Sequence, residues 1–233
     1  MTTIHNNISY SNIEPNMKLF ELIDAHPSLV SIFSRLNITL PFGDISIAEM
    51  CQRDGHNAEL FITLCKMHID PMYRPDRRTL SATMLSEVVG YLRASHRYYA
   101  QYMLPHVARH LDEILSHCDT LSKRVLSTFY DEYTRYVMSH FEDEERNIFA
   151  PLEVAEQERV RDLATLERPH GDIDDRTNDI ASLIFKSLPE AVPTPLRCAM
   201  LDDIYALRDD LRTHSNIEMF LLRPLVDSII KGL

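Results

Sequence analysis

Apolar residues recur at helical spacing along most of the chain, and the length of the periodic segments changes near residue 70. Between residues 17 and 68, short amphipathic segments such as MKLFELIDAH and NAELFITLCKMH are interrupted by prolines. This pattern predicts a small helical N-terminal domain over residues 1–70. The polar run DPMYRPDRR, residues 70–78, contains two prolines and is typical of a linker.

Four long helical stretches are predicted after the linker, and they turn near residues 118, 157 and 192. The last of these turns is the segment LPEAVPTP, where three prolines end a helix. Four long helices with short connections predict an up-and-down four-helix bundle over residues 79–233. Pro105 should kink the first of them or open its hydrogen bonding locally. The four predicted stretches are about 80–117, 120–157, 158–187 and 195–230.

Composition favours an all-α protein. The 233 residues include only five glycines and no tryptophan, which argues against a turn-rich β architecture. The formal net charge of -11 argues against nonspecific binding to nucleic acid or to an anionic membrane, because phosphates would be repelled. We therefore expect neither nucleic acid nor a membrane as a partner.

The four cysteines are scattered without any short pairing, which indicates reduced thiols. The N-terminal segment MTTIHNNISY lacks a basic end followed by an apolar run, and no segment approaches the ~20 apolar residues that cross a bilayer. From these patterns we expect a soluble cytoplasmic protein.

Two H-x-x-x-E pairs lie on the predicted bundle helices, one in SHFEDEERNIFAP and one in THSNIEMFLLRP. Side chains four residues apart on a helix share one face, so His140 with Glu144 and His214 with Glu218 can each offer a nitrogen and an oxygen to one site. A single such pair usually reflects ordinary surface charge, and a metal site needs further support.

Helix geometry supplies that support by placing six residues at one level of the bundle. His96 and His140 each lie 22 residues from the turn near residue 118, so both are ~33 Å above the same end at ~1.5 Å per residue. Glu144 and His170 each lie 13 residues from the turn near residue 157, and His170 and His214 each lie 22 residues from the turn near residue 192. The predicted metal ligands are His96, His140, Glu144, His170, His214 and Glu218.

Three other histidines are excluded from the predicted metal site, whereas two tyrosines and one aspartate could contribute to it. His106, His110 and His117 fall roughly 15, 21 and 32 Å further along the helix than His96, so they are interpreted as exposed or capping histidines. Tyr99 and Tyr136 could donate a hydrogen bond to a bound ligand or could be core aromatics. Asp174, four residues after His170, could add a carboxylate.

Four imidazoles and two carboxylates exceed what one four-coordinate zinc ion needs, but they suit two iron ions that share bridging carboxylates. They would be costly to bury without a cation. The ferritin-like alternative would show E-x-x-H, whereas this sequence has the reversed H-x-x-x-E.

The arrangement of one histidine, H-x-x-x-E, one histidine and H-x-x-x-E on successive helices resembles the hemerythrin-like bundle. More specifically, HFEDEERNIFAP and HSNIEMFLLRP resemble blocks of the Repair of Iron Centres family, and residues 17–68 resemble its N-terminal domain. The resemblance implies two non-haem iron ions, oxo- and carboxylate-bridged, held by the six residues with Glu144 and Glu218 as bridges. It also implies a stress-response role in restoring iron-sulfur clusters damaged by nitrosative or oxidative species.

One feature departs from that family, whose N-terminal domain usually presents adjacent cysteines. This chain has NITLPFGD, residues 37–44, at the corresponding place, and Cys51 and Cys65 are interpreted as core residues rather than substitutes. Three functions therefore stay open: repair, with damaged iron-sulfur proteins as partners; an O2 or NO carrier or sensor; and a di-iron oxidoreductase that reduces NO or peroxide. Whether the protein is an enzyme and whether it forms a homodimer are also open.

Overall fold

The computed structural model of the protein describes residues 12–153 and 171–232, and the regular structure in both ranges is helical. Within them the β-type pairing is one isolated bridge between Lys18 and Ser46. The predicted all-α class is therefore confirmed. No helix among the described residues is long and apolar enough to cross a membrane.

By their internal contacts, the residues group into two compact units. One contains Met1–Ala94 together with Asn216–Leu233, and the other contains Ser95–Ser215. The predicted domain boundary between residues 70 and 79 stays a prediction.

The N-terminal part of the first unit consists of short helices whose C-terminal caps are glycine or polar residues. Ser46 and Glu49 form a capping box at the third helix, in which the Ser46 side chain accepts a hydrogen bond from the Glu49 amide and Glu49 accepts from the Ser46 amide. Leucine, isoleucine and methionine side chains from all four helices are buried. The helices are α1 (Leu19–Ala25), α2 (Val30–Leu36), α3 (Ile47–Asp54) and α4 (Ala58–Ile69).

Two polar networks join these short helices to α5 (Leu85–Tyr98) inside the first unit. The buried Arg35 side chain donates to the Tyr91 hydroxyl at 3.2 Å, and His68 Nε2 lies 2.7 Å from the same oxygen. Glu87 contacts His56 Nδ1 at 2.8 Å. The first half of α5 is thus held by the N-terminal helices.

The second unit is a four-helix bundle with a shared apolar core, as predicted. Buried side chains from four helical stretches form one core cluster, which runs from Tyr99 to Leu211. The remaining helices of residues 12–153 and 171–232 are α6 (Leu104–Ser116), α7 (Thr120–Glu144), α8 (Ala150–Glu153), α9 (Gly171–Ser187), α10 (Thr194–Ile217) and α11 (Arg223–Gly232).

The predicted helix ends agree with the structure at two of the three turns. Asp119 caps α7 by accepting a hydrogen bond from the Ser122 amide at 2.9 Å, which confirms the turn near residue 118. The turn at LPEAVPTP lies between α9 and α10. The turn near Gln157 lies outside the described residues. The predicted start of the first stretch near residue 80 is wrong, because α5 begins at Leu85 after a 3₁₀ turn, Ala82–Met84, capped by Ser81.

Within the described residues, three π-helical segments interrupt the long stretches, and the sequence predicted such a disturbance at Pro105 alone. In each segment the closing hydrogen bond spans five residues, for example from the Leu104 amide to the Tyr99 carbonyl. A proline lies two residues after each segment, at Pro105, Pro151 and Pro224. Because proline lacks an N–H and its ring crowds the carbonyl four residues earlier, it disfavours the α-helical bond there. The opening predicted at Pro105 is confirmed. The segments are Tyr99–Met103, Glu145–Phe149 and Glu218–Leu222.

Candidate metal centre

The π-helical segments lie directly beside the predicted metal ligands. His96 precedes the first segment by three residues, Glu144 immediately precedes the second, and Glu218 is the first residue of the third. A π-turn adds a residue to the helix, and so it changes which side chains face the core on either side of it. Such turns are frequent at functional sites.

Imidazole nitrogens converge on the Glu144 carboxylate inside the bundle. His140 Nε2 lies 2.7 Å from Glu144 Oε1, and His96 Nε2 lies 3.2 Å from Glu144 Oε2. His96 Nε2 is also 3.2 Å from His214 Nε2. Helices α5, α7 and α10 therefore each bring a nitrogen or oxygen donor to one place.

Glu218 completes the described part of the cluster. It follows His214 by four residues with no break in the helical backbone. Potential ligand atoms of His96, Glu144, His214 and Glu218 all lie within 4.8 Å of one another, and all four residues are buried. His140 adjoins this group through its contact with Glu144. The sixth predicted ligand, His170, lies outside the described residues.

The chemistry of these donors suits a metal ion. Glu144 is 1% exposed and Glu218 is 9% exposed, so two carboxylates are buried together among neutral or cationic donors. Buried carboxylates are costly unless a cation accompanies them. Two nitrogens at ~2.1 Å from one ion are roughly 3.0–3.4 Å apart for angles between 90° and 110°. The His96–His214 nitrogen separation of 3.2 Å falls in that range.

The His96 ring is held by contacts on its other atoms. Its Nδ1 lies 3.1 Å from Glu145 Oε1, and its ring stacks on Phe141 and Phe149 at centroid distances of 4.2 and 5.4 Å. A carboxylate on the second nitrogen fixes the tautomer and orientation of a ligating histidine. The sequence analysis did not predict that Glu145 contacts His96. The signal was the second glutamate of H-x-x-x-E-E, which directly follows the predicted ligand Glu144.

The two tyrosines left open by the sequence lie in aromatic contacts. The Tyr99 hydroxyl donates to the Asp210 carbonyl at 3.1 Å, and its ring packs against His214 at 5.9 Å. The Arg176 guanidinium lies over the Tyr136 ring, 4.3 Å from its centroid. The contacts of Tyr99 therefore match the core-aromatic interpretation.

Asp174 accepts hydrogen bonds from Nε and Nη2 of Arg212, each at 3.1 Å. It also lines a cavity of about 10 Å³ together with His140 and His214. A volume of this size is about one water-sized sphere. The carboxylate is thus paired with an arginine while it remains close to two of the predicted ligands.

A second, larger cavity reaches His96 from the surface of the bundle. Its volume is about 480 Å³, and it is open to solvent. Phe141, Met138 and Ala100 give it an apolar wall, and Arg97 and Arg146 are also at its lining. A small molecule can therefore approach the site at the His96 edge.

Comparison with known protein families matches residues 87–226 to the hemerythrin HHE cation-binding domain. The match covers 140 of the 233 residues and includes every predicted ligand. This chain belongs to the hemerythrin HHE family. Searches of curated proteins and of solved structures found no match. Membership in this family indicates metal binding, with iron as the expected metal, and the buried histidine and glutamate cluster is the place in this hemerythrin-like bundle that could hold it.

Replacing Glu145 with glutamine is expected to weaken iron binding by roughly 10- to 100-fold, because the hydrogen bond that orients His96 loses its charge. Iron affinity can be measured by competition with a chromophoric chelator. The matched control is Glu142→Gln, since Glu142 is exposed and lines the same cavity. Equal iron affinity in both variants would show that Glu145 does not position His96.

Proposed function

We propose that this hemerythrin-like protein is a non-haem di-iron protein that acts in the repair of iron-sulfur clusters damaged by nitrosative or oxidative stress. The observation that carries the proposal is the buried convergence of His96, Glu144, His214 and Glu218. In the proposal His140 and His170 complete the set, and Glu144 and Glu218 bridge the two ions. Six such donors for two ions leave open coordination positions.

The residues of the chain have separate tasks in this proposal. Histidine and glutamate side chains hold the metal, and Glu145 orients His96. Phe141 and Phe149 stack on the His96 ring and help to hold its orientation. Iron held there would supply open positions for a diatomic ligand such as NO or O2, and the open cavity beside His96 is the route by which that ligand would arrive.

The repair role is supported by the resemblance of the two H-x-x-x-E blocks to the Repair of Iron Centres family. In this role the bound iron binds NO or an oxygen species, or is supplied to a damaged cluster. The N-terminal helices would contribute through contacts with the damaged protein, because residues 37–44 carry no thiol.

A carrier or sensor of O2 or NO is the second candidate. The observation in its favour is the open cavity of about 480 Å³ at His96, which suits reversible binding of a small uncharged ligand. A di-iron oxidoreductase that reduces NO or peroxide would use the same cavity and would differ by consuming a reductant.

Restoration of an inactivated iron-sulfur enzyme separates these functions. A dehydratase whose cluster has been damaged by NO is incubated with the iron-loaded protein, and its activity is followed. Recovery with the wild-type protein and none with the Glu144→Ala variant is the expected result. NO binding without recovery would favour a carrier or sensor, and steady consumption of NO or peroxide with a reductant would favour the oxidoreductase.

The cysteines of the N-terminal helices are expected to resist alkylation. Burial raises the pKa of the Cys51 thiol to about 12 and raises the pKa of Cys65 further, so both stay protonated at neutral pH. Cys198 is exposed and is expected to react first. The folded protein is treated briefly with iodoacetamide, and mass spectrometry of its peptides then shows the order in which the cysteines react.

A protein alkylated in this way should keep its iron and its repair activity. Fast modification of Cys51 or Cys65 with loss of repair and intact iron would contradict the proposal that the N-terminal helices act without thiol chemistry.

A further inference from the structure

A second group of metal-ligating side chains lies in the bundle, away from the buried cluster. His106 and His110 are on α6, four residues apart in the segment HVARH, and Asp203 is on α10. Residues at this spacing share one face of a helix, so both imidazoles face the same way. His106 is ten residues beyond His96, which is ~15 Å along a helix.

His106 and His110, interpreted from the sequence as exposed or capping histidines, are partly exposed and lie apart from the buried cluster, but they also have a shared partner. Both contact Asp203: His106 Nε2 lies 3.3 Å from Asp203 Oδ1, and His110 Nδ1 contacts Asp203 Oδ2. Their side chains are 40% and 32% exposed, and that of Asp203 is 20% exposed. His117, by contrast, is exposed at the C-cap of α6.

These three residues offer a metal-binding donor set. Potential ligand atoms of His106, His110 and Asp203 lie within 4.8 Å of one another, and the two rings are 4.6 Å apart. Two imidazole nitrogens and one carboxylate oxygen suit zinc and neighbouring transition metals, whereas magnesium and calcium prefer oxygen donors. The partial exposure leaves room for water as a further ligand.

We infer that His106, His110 and Asp203 form a second, solvent-accessible site for a divalent transition-metal ion of the zinc class, which would join α6 to α10. The site differs from the buried cluster in position, in exposure and in having a single carboxylate. All three donors come from α6 and α10, and none of them belongs to the buried cluster. The inference therefore does not rest on the proposed function.

The exposed Arg109 side chain contacts His106, one of the three donors. Its Nη2 lies 3.2 Å from His106 Nδ1. A guanidinium only donates hydrogen bonds, so Nδ1 is the acceptor in this contact, and in the neutral ring the hydrogen is then on Nε2, which faces Asp203. A metal on Nε2 requires the other tautomer, and the exposed Arg109 side chain would have to move. Arg109 therefore opposes metal binding through both tautomer and charge.

The test uses the full-length protein loaded with iron. Zinc is added in small excess, unbound metal is removed by gel filtration, and zinc and iron per chain are measured by mass spectrometry. We expect about one zinc per chain with unchanged iron content. Zinc affinity is then measured with a chromophoric competitor. His106→Ala with His110→Ala should lower it roughly 100-fold or more, since two of three ligands are lost.

Four further variants make the result decisive. Asp203→Asn keeps the shape of the side chain and should also weaken zinc binding. It therefore tests the site even where the double variant does not fold. His117→Ala should change nothing, and Arg109→Ala should tighten zinc binding roughly fivefold by removing a nearby positive charge. Glu144→Ala should keep the zinc site while losing iron, which separates this inference from the proposed function. Zinc uptake that is absent, or unchanged in both the double variant and Asp203→Asn, would overturn it.

Discussion

Replacing Glu144 with alanine is expected to remove most of the iron and to lower the melting temperature of the iron-loaded protein by about 10 °C. Glu144 is 1% exposed, and two histidine nitrogens lie within 3.2 Å of its carboxylate oxygens. Its loss therefore removes the group on which the site is centred, and the remaining imidazoles lose a buried partner. Iron content by mass spectrometry and thermal unfolding by circular dichroism measure both effects.

Glu132→Ala is the matched control, because Glu132 is an exposed glutamate on the same helix. It should leave iron content and melting unchanged. Glu218→Ala should behave as Glu144→Ala does, since Glu218 belongs to the same group of four. Full iron occupancy with unchanged melting in both the Glu144 and the Glu218 variants would count against the site.

Removal of the metal with a chelator is expected to destabilise the wild-type protein by a similar amount, about 10 °C in melting temperature. Binding to the folded state alone stabilises it, and the donors cannot form this site in the unfolded chain. Restoring ferrous iron under anaerobic conditions should restore the original melting temperature.

The Glu144→Ala variant supplies the control for chelation. Because it holds little iron to begin with, a chelator should not lower its melting temperature further. A wild-type protein that melts at the same temperature with and without chelator would contradict metal-linked stability, whatever the iron content of the variants.

Much of the fold could be predicted from periodicity, because amphipathic helices carry their own signal. The turn near residue 118 is marked by the capping Asp119, and the turn after α9 by prolines. The level argument needed helix rise, those two turns and the predicted turn near Gln157, which lies outside the described residues. It therefore grouped His96, Glu144, His214 and Glu218, which the structure also brings together.

The π-helical segments show where periodicity stops being sufficient. Pro105 was recognised as a local disturbance, whereas Pro151 and Pro224 lie at the same offset from their segments and were not interpreted in this way. A proline signals that an α-helical bond is missing, but whether the helix kinks, ends or takes a π-turn depends on packing against the other helices.

Contacts between side chains of different helices were the hardest features to predict. The Glu145–His96 hydrogen bond and the His106–Asp203 contact each join residues that are far apart in sequence. The segment HVARH showed that two histidines share a helix face, but nothing in it showed that Asp203 would lie opposite them. Which side chains of two helices meet depends on the rotation of each helix about its own axis. Packing of the whole core sets that rotation.

Metal analysis of the freshly purified protein, combined with its absorption spectrum, tests the central claim most directly. We expect about two irons per chain and near-ultraviolet absorption typical of oxo-bridged ferric iron, both lost in the Glu144→Ala variant and retained in Glu132→Ala. A protein that contains no iron and takes up none under anaerobic reconstitution with ferrous iron, while correctly folded, would contradict the account.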